Sequence, residues 1–337
     1  SFLGCDEQRS IHRAGEGATI ERAGECVKGQ RVFHGAAIGG VLDGCPAGLH
    51  LDVQAVQVEL DRRRPGSTPL GTARTEADRV EWLSGLHNGA TLGTPIAFLI
   101  RNRDARPADY DALKDVYRPG HADRSWEQKF GLRDHRGGGR SSARTTAACV
   151  VGGAIARQVI APTGTRVAAY VDQVGNARLA TPLAELDLAR VFGSDVRCPD
   201  PTAAAEMIRT IEQARTDGDS VGGAITLVVQ GLPPGLGEPV FDKLHADLGK
   251  ALLSINAVKG VEIGAGFASA GMRGSAHNAL PSGVQGGIST GAAIVCRLAF
   301  KPASTIAKPQ QAVDKEGKEV VLEARGRHDP CVVPRAV

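Results

Sequence analysis

Between Arg118 and Arg144 the chain reads RPGHADRSWEQKFGLRDHRGGGRSSAR, seven Arg or Lys against three acids, a local balance of +4 in a protein whose total is +3. Two histidines, His121 and His135, and a glycine run, Gly137 to Gly139, stand among these cations. Glycine lets a backbone come close to a ligand. Ser141 and Ser142 follow where a helix would begin, with free N–H groups and the positive end of the helix dipole turned toward an anion. Such a stretch suits a small, highly anionic ligand. An RGG-like run can also be an RNA-contacting segment or a solvated loop, and both readings stay open on these residues alone.

Smaller constellations lie elsewhere. Phe33-His34-Gly35 sets an imidazole beside a glycine. Arg62-Arg63-Arg64 precede Pro65-Gly66, and because successive helical residues point in different directions, at most two of the three can face one ligand. Lys301-Pro302-Ala303-Ser304-Thr305 combines a cation with hydroxyls, and Gly326-Arg327-His328-Asp329-Pro330 puts a base and an acid before a turn. Either would suit a phosphate-bearing ligand or proton chemistry. No glycine fingerprint of a Rossmann or P-loop nucleotide site occurs.

The elements that must position these residues are only partly periodic. Leu51 to Leu60 fits both a helical stripe and a strand, and the arginines before Pro65 favour a helix ending there. Glu81–Ser84 and Ile96–Ile100, with Asn88-Gly89 between them, predict short strands and hairpins. Residues 143–160 predict a helix whose Ala147, Gly152, Gly153 and Ala154 would allow close helix packing. Strands are expected at 166–172 and 224–230, and helices at 202–216 and 244–254. Residues 1–32 show no steady period. Without regular βαβ spacing, a layered α+β domain fits better than a doubly wound sheet.

The 337 residues, 42% hydrophobic and 23% charged, describe an ordinary globular protein long enough for a deep core. Near-neutral charge and only 4% aromatics argue against a nucleic-acid binder, which needs a basic surface or stacking platforms. Seven scattered cysteines form no C-x-x-C pair, so neither a disulfide framework nor a metal site is expected, and a reducing, cytoplasmic compartment is the default. Neither a membrane span nor a secretory segment is expected, and a plastid transit segment stays open.

Several of these motifs together resemble one family, the chorismate synthases. They are DGCPAGL (43–49), ELDRRRPG (59–66), LSG with GTPIAFLI (83–100), RNRDARPADYDALKDVYRPGHAD (101–123) and KFGLRDHRGGGRSSAR (129–144). They continue with GLGEPVFDKL and LLSINAVKGVEIG (235–264), GGISTG (286–291), KPAST (301–305) and GRHDPCVVPRAV (326–337). The resemblance implies a layered sandwich with helices between antiparallel sheets, one catalytic domain over 33–337 after an unassigned 1–32, and a homotetramer. It also implies a lyase that eliminates phosphate from 5-enolpyruvylshikimate 3-phosphate to give chorismate, using reduced FMN without net redox change, with NADPH or an external reductase supplying electrons. By the same resemblance His34, His121 and Asp329 are catalytic. Arg140, Ser141, Ser142, Asn256, Ala257, Gly287, Lys301, Pro302, Ala303, Ser304, Thr305 and Arg327 match flavin contacts, and Arg63, Arg64, Arg74, Arg144 and Arg335 match contacts to substrate anions. The chain departs from the family in four places: Phe33 stands for a serine, Pro69 for an arginine, Thr145 for a glutamate and Cys149 for an arginine. The 277–286 loop is shorter, and the chain stops at Val337, where the family continues into a helix. Those departures leave two alternatives, an impaired relative that still binds flavin and anion, and an FMN-dependent oxidoreductase.

Overall fold

The structure, a computed structural model, describes residues 28–34, 37–72, 74, 76–104, 107–136, 142–323 and 329–337, with backbone alone for 28–34 and 107–109. In chain order the main elements are β1 (Lys28–His34), β2 (Ala37–Asp43), α1 (Val53–Arg63), β3 (Val80–Trp82), β4 (Ile96–Arg101), β5 (Val116–Tyr117) and α2 (Asp123–Phe130). Then come α3 (Thr146–Ile160), β6 (Arg166–Val174), β7 (Ala177–Arg178), α4 (Pro201–Thr216), β8 (Gly223–Gln230), α5 (Leu244–Leu253), β9 (Val258–Ile263), β10 (Ile294–Phe300), β11 (Gln310–Asp314) and β12 (Glu319–Leu322). The fold is α+β, built on antiparallel sheets with helices laid against them.

One sheet has the order β1-β2-β4-β3, with Lys28 opposite Asp43 and His34 opposite Ala37 in its first pair. Along β4, Ile96, Phe98 and Ile100 alternate inward as a half-buried strand requires. They form a core with Ile38 and Leu42 of β2 and with the apolar faces of α1 and α3. Gly40 is glycine because a Cβ there would stand 2.4 Å from the Phe98 ring. Asp52 caps α1, its carboxylate accepting the N–H groups of Gln54 and Ala55, and the helix closes on Arg62 and Arg63 before Pro65. Residues 51–60 are therefore helical from Val53, and the basic last turn lies at the negative end of the helix dipole.

The second sheet, β9-β10-β8-β6-β7, carries α4 on β6 and β7 and α5 on β9. Its core gathers Val171, Val174, Met207, Ile211, Ile225, Leu298 and Phe300. The two-residue hairpin loop at Asn88-Gly89 has positive φ at both positions, 48° and 78°, as the Asn-Gly pair predicts. A smaller sheet, β12-β11-β5, packs on Leu113. No helix among the described residues is long and apolar enough to cross a membrane.

Candidate active site

A cavity of about 340 Å³ opens where the layers meet. Arg63 enters it from the last turn of α1, and Arg144 from the single 3-10 turn Ala143–Thr145 that leads into α3. Ser142 caps that turn by accepting the Arg144 N–H at 3.3 Å, while Thr145 donates its hydroxyl to the Ser142 carbonyl at 2.8 Å. Helix α3 thus starts three residues later than the sequence predicts, and the displaced turn is what aims Arg144. The remaining lining comes from Arg74, from Asn256 after α5, from Phe300 at the end of β10, and from the 329–337 segment with Asp329 and Arg335. Val150, Ile255, Phe300, Val332 and Val337 add apolar surface to the lining.

Each arginine is held by a specific partner. Arg74 donates to Glu76 Oε1 at 2.7 Å and also to Asn102. Arg144 forks onto Asp78, with its Nη2 3.8 Å from Glu76. Arg335 pairs with Asp329, whose other oxygen accepts the Thr72 N–H at 2.9 Å. Arg63, only 6% exposed, donates to the Thr146 hydroxyl at 2.8 Å and the Ala143 carbonyl at 3.2 Å. Its Nη1 has no hydrogen-bond partner and lies 4.0 Å from Asp78. Burial, then the neighbouring charges of Arg335 and Arg144, push the Arg63 guanidinium down to about 9. Among the described residues four arginines share three carboxylates here, an excess of one positive charge. Such a cluster lowers its energy by taking up an anion.

Of the residues singled out from sequence, Arg63, Arg74, Arg144, Arg335, Asp329 and Asn256 come together in this cavity. Arg64 is exposed beyond the end of α1 and outside the lining. The Lys301–Thr305 loop, Ala257, Gly287, Ser142 and His121 are not in the lining either, but contacts tie most of them together. The Lys301 N–H donates to the Ala257 carbonyl at 3.0 Å, and Lys301 Nζ reaches Ser304 and the Pro302 carbonyl. Ser304 donates to the Gly120 carbonyl at 2.7 Å, fastening the loop to the turn that carries His121. Pro302 and Ala303 continue this loop, the Ala303 carbonyl accepting the Ser220 hydroxyl. Gly287 accepts the Leu244 N–H, and a Cβ on it would strike the Lys243 side chain.

His121 Nδ1 lies 2.9 Å from Asp123 Oδ1, off the line a hydrogen bond needs, and Arg118 forks onto the same carboxylate at 2.7 and 2.9 Å. Burial alone would raise Asp123; the charge of Arg118 and the His121 ring outweigh it and hold the carboxyl well below the ordinary range. The side chain of His34, together with Gly137–Gly139, Arg140, Ser141 and Arg327, falls outside the described residues. Sequence reasoning missed Glu76 and Asp78, the buried acids that set Arg74 and Arg144. The alternating Arg74-x-Glu76-x-Asp78 spacing is the signal that could have shown them.

A chorismate synthase family model matches residues 31–337. A chorismate synthase of Christiangramia forsetii is 52% identical over 90% of this chain and 88% of its own length. One from Parabacteroides distasonis is 51% identical over 90% and 89%. A solved structure titled "Crystal Structure of Chorismate Synthase" superposes with a TM-score of 0.67 at 30% identity, covering 81% of this chain and 84% of that one. With a family match of this extent and relatives this close, the chain belongs to the chorismate synthase family.

Proposed function

We propose that this chain eliminates phosphate from 5-enolpyruvylshikimate 3-phosphate to give chorismate, and that the arginine-lined cavity holds both substrate and reduced FMN. The carrying observation is the excess positive charge among the described residues of the cavity, with the buried Arg63 Nη1 making no hydrogen bond. The substrate carries two carboxylates and a phosphate, and guanidinium forks match such oxygens two at a time. The apolar part of the lining suits a flat ring system, and the volume lies in the range of small-ligand sites. On these grounds a flavin fits the cavity beside Asn256; by the family resemblance Ala257, Lys301–Thr305, Ser142, Gly287 and, outside the described residues, Arg140, Ser141 and Arg327 would also hold it. When bound, reduced FMN supplies electron density to the departing C–O bond with no net redox change.

The chain's own residues do the rest. Arg63, Arg74, Arg144 and Arg335 hold the anionic groups and receive the charge that the leaving phosphate takes with the C–O electron pair. Asp329, paired with Arg335 at the cavity wall, is assigned to take the ring proton. His121, its ring beside Asp123, is assigned to protonate the reduced flavin, and His34 to the leaving phosphate. Lining drawn from residues 63 to 337 supports one catalytic domain over 33–337. Exposed Phe241 (88%) and Phe267 (83%) support burial in a homotetramer. A cytoplasmic location and NADPH as electron source complete the proposal.

The test is an anaerobic mixture of the protein, dithionite-reduced FMN and 5-enolpyruvylshikimate 3-phosphate, followed by phosphate release and the ultraviolet absorbance of chorismate. Stoichiometric phosphate and chorismate with flavin unchanged is the expected result. Binding without phosphate release would overturn it.

A further inference from the structure

Glu76 and Asp78 have side chains with no solvent exposure at all, which is costly for carboxylates unless they answer nearby charge. Asp78 takes the Arg144 fork and faces Arg63 at 4.0 Å, and its backbone carbonyl accepts the Gln57 amide at 3.1 Å. Its φ of 44° is uncommon for a residue with a side chain. The chain therefore bends into an unfavoured conformation to bring this acid under the arginines. Glu76 is anchored as firmly: besides Arg74 it accepts the N–H of Arg103 at 3.0 Å and of Asp104 at 3.2 Å. Neither acid lines the cavity. The arginines they hold, Arg74 and Arg144, do line it.

Two buried negative charges beside a phosphate-binding cluster must weaken anion binding. A site selected for tight binding alone would not keep them. We propose that Asp78, with Glu76, is a positioning residue that fixes the arginine forks in one register and trims the charge of the cavity so that the phosphate product can leave. This rests on the cavity being the phosphate site. Geometry and charge then act in opposite directions on two measurable quantities, which separates this role from simple structural support.

The discriminating variant is Asp78→Asn. It keeps the size, an acceptor for Arg144 and the backbone bond to Gln57, and asparagine tolerates positive φ. Calorimetric titration at pH 7 with inorganic phosphate should show binding about fivefold or more tighter than wild type, the effect of removing one charge a few ångströms away even at high dielectric. Meanwhile kcat should fall roughly 10- to 100-fold, as a loosened positioning group costs. Phosphate affinity unchanged or reduced in the folded variant, or kcat unchanged, overturns the proposal. If Asp78→Asn does not fold, Glu76→Gln is judged by the same two readouts. A flat phosphate titration of the wild-type protein would overturn the assignment of the cavity, and this inference with it.

Discussion

Replacing Arg63 with methionine separates what this residue does for the fold from what it does for the ligand. Its proton affinity in the folded protein is depressed by burial and by Arg335 and Arg144 to about 9. That is more than three powers of ten below an ordinary guanidinium, on the order of 4–5 kcal/mol carried by the charged form. Because the folded value lies below the unfolded one, the penalty is fully present below about pH 9 and is relieved as pH rises through that value. Set against it are the hydrogen bonds to Thr146 and Ala143, together worth about 2–4 kcal/mol. The Ala143 carbonyl keeps a donor in the variant, the Thr146 hydroxyl at 2.6 Å. Arg63→Met should therefore stabilise the ligand-free protein by about 1–2 kcal/mol, a rise of roughly 2–4 °C in melting temperature at pH 7. The difference should shrink toward pH 10. Phosphate, which raises the melting temperature of the wild-type protein by mass action, should lose at least about tenfold in affinity as its unpaired guanidinium partner disappears. Scanning fluorimetry at pH 7 and 10 with and without phosphate reads both effects. A melting temperature several degrees lower, or an undiminished response to phosphate, would refute the reading of Arg63 as a strained anion ligand.

Asp329→Asn keeps an acceptor for the Thr72 N–H but loses the proton-accepting charge; turnover should fall by about 10²–10⁴-fold while phosphate binding is not weakened, and weakened binding would mean Asp329 acts by holding Arg335 in place. Ser304→Ala removes the tie from the Lys301–Thr305 loop to Gly120; the flavin dissociation constant should rise about fivefold, with kcat at saturating flavin little changed, as titration of flavin fluorescence would show. Asp123→Asn breaks a buried fork with Arg118 and should cost about 3–5 kcal/mol at pH 7. Since the Asp123 carboxyl is held far down in the folded state, its contribution is fully present above about pH 4 and declines by about 1.4 kcal/mol per unit as pH falls below that, so the gap between the denaturant midpoints of the two proteins should narrow below pH 4 and still be open at about pH 2–3.

The elements that sequence periodicity reached were those with a local signature. Helix α4 carries Asp200 as its cap and runs to an Asp217-Gly218 turn, and β8 follows it as a run of apolar residues. The hidden ones derive their form from tertiary partners. Strands β1 and β2 are held by full antiparallel pairing through a glycine-rich sequence, in which Gly40 answers the Phe98 ring and not any local preference. Helix α2 was obscured by the charge cluster around it: with Asp123 its one buried residue, it shows no apolar stripe. Strand β10 alternates Ile294, Cys296, Leu298 and Phe300 inward, but the glycines ahead of it drew attention to the loop.

For the site, the cationic richness of the sequence points to an anionic ligand, and the described residues show what part of that charge is engaged in the fold. Three of the six described cations in 118–144 are spent on structure: Arg118 and Arg133 bind the Asp123 and Glu127 carboxylates, and Arg136 turns onto Asp134. Among its described cations only Arg144 lines the cavity, where it is joined by Arg63, Arg74 and Arg335. Counting charge along a sequence treats an acid near an arginine as neutralisation, so Glu76 and Asp78 would be subtracted from the site. In three dimensions they pair with the guanidinium groups, and the same charges become orientation. The excess that attracts an anion is a property of which faces remain open, and that depends on the bend at Asp78 and the turn at Ala143–Thr145, neither of which has a periodic signature.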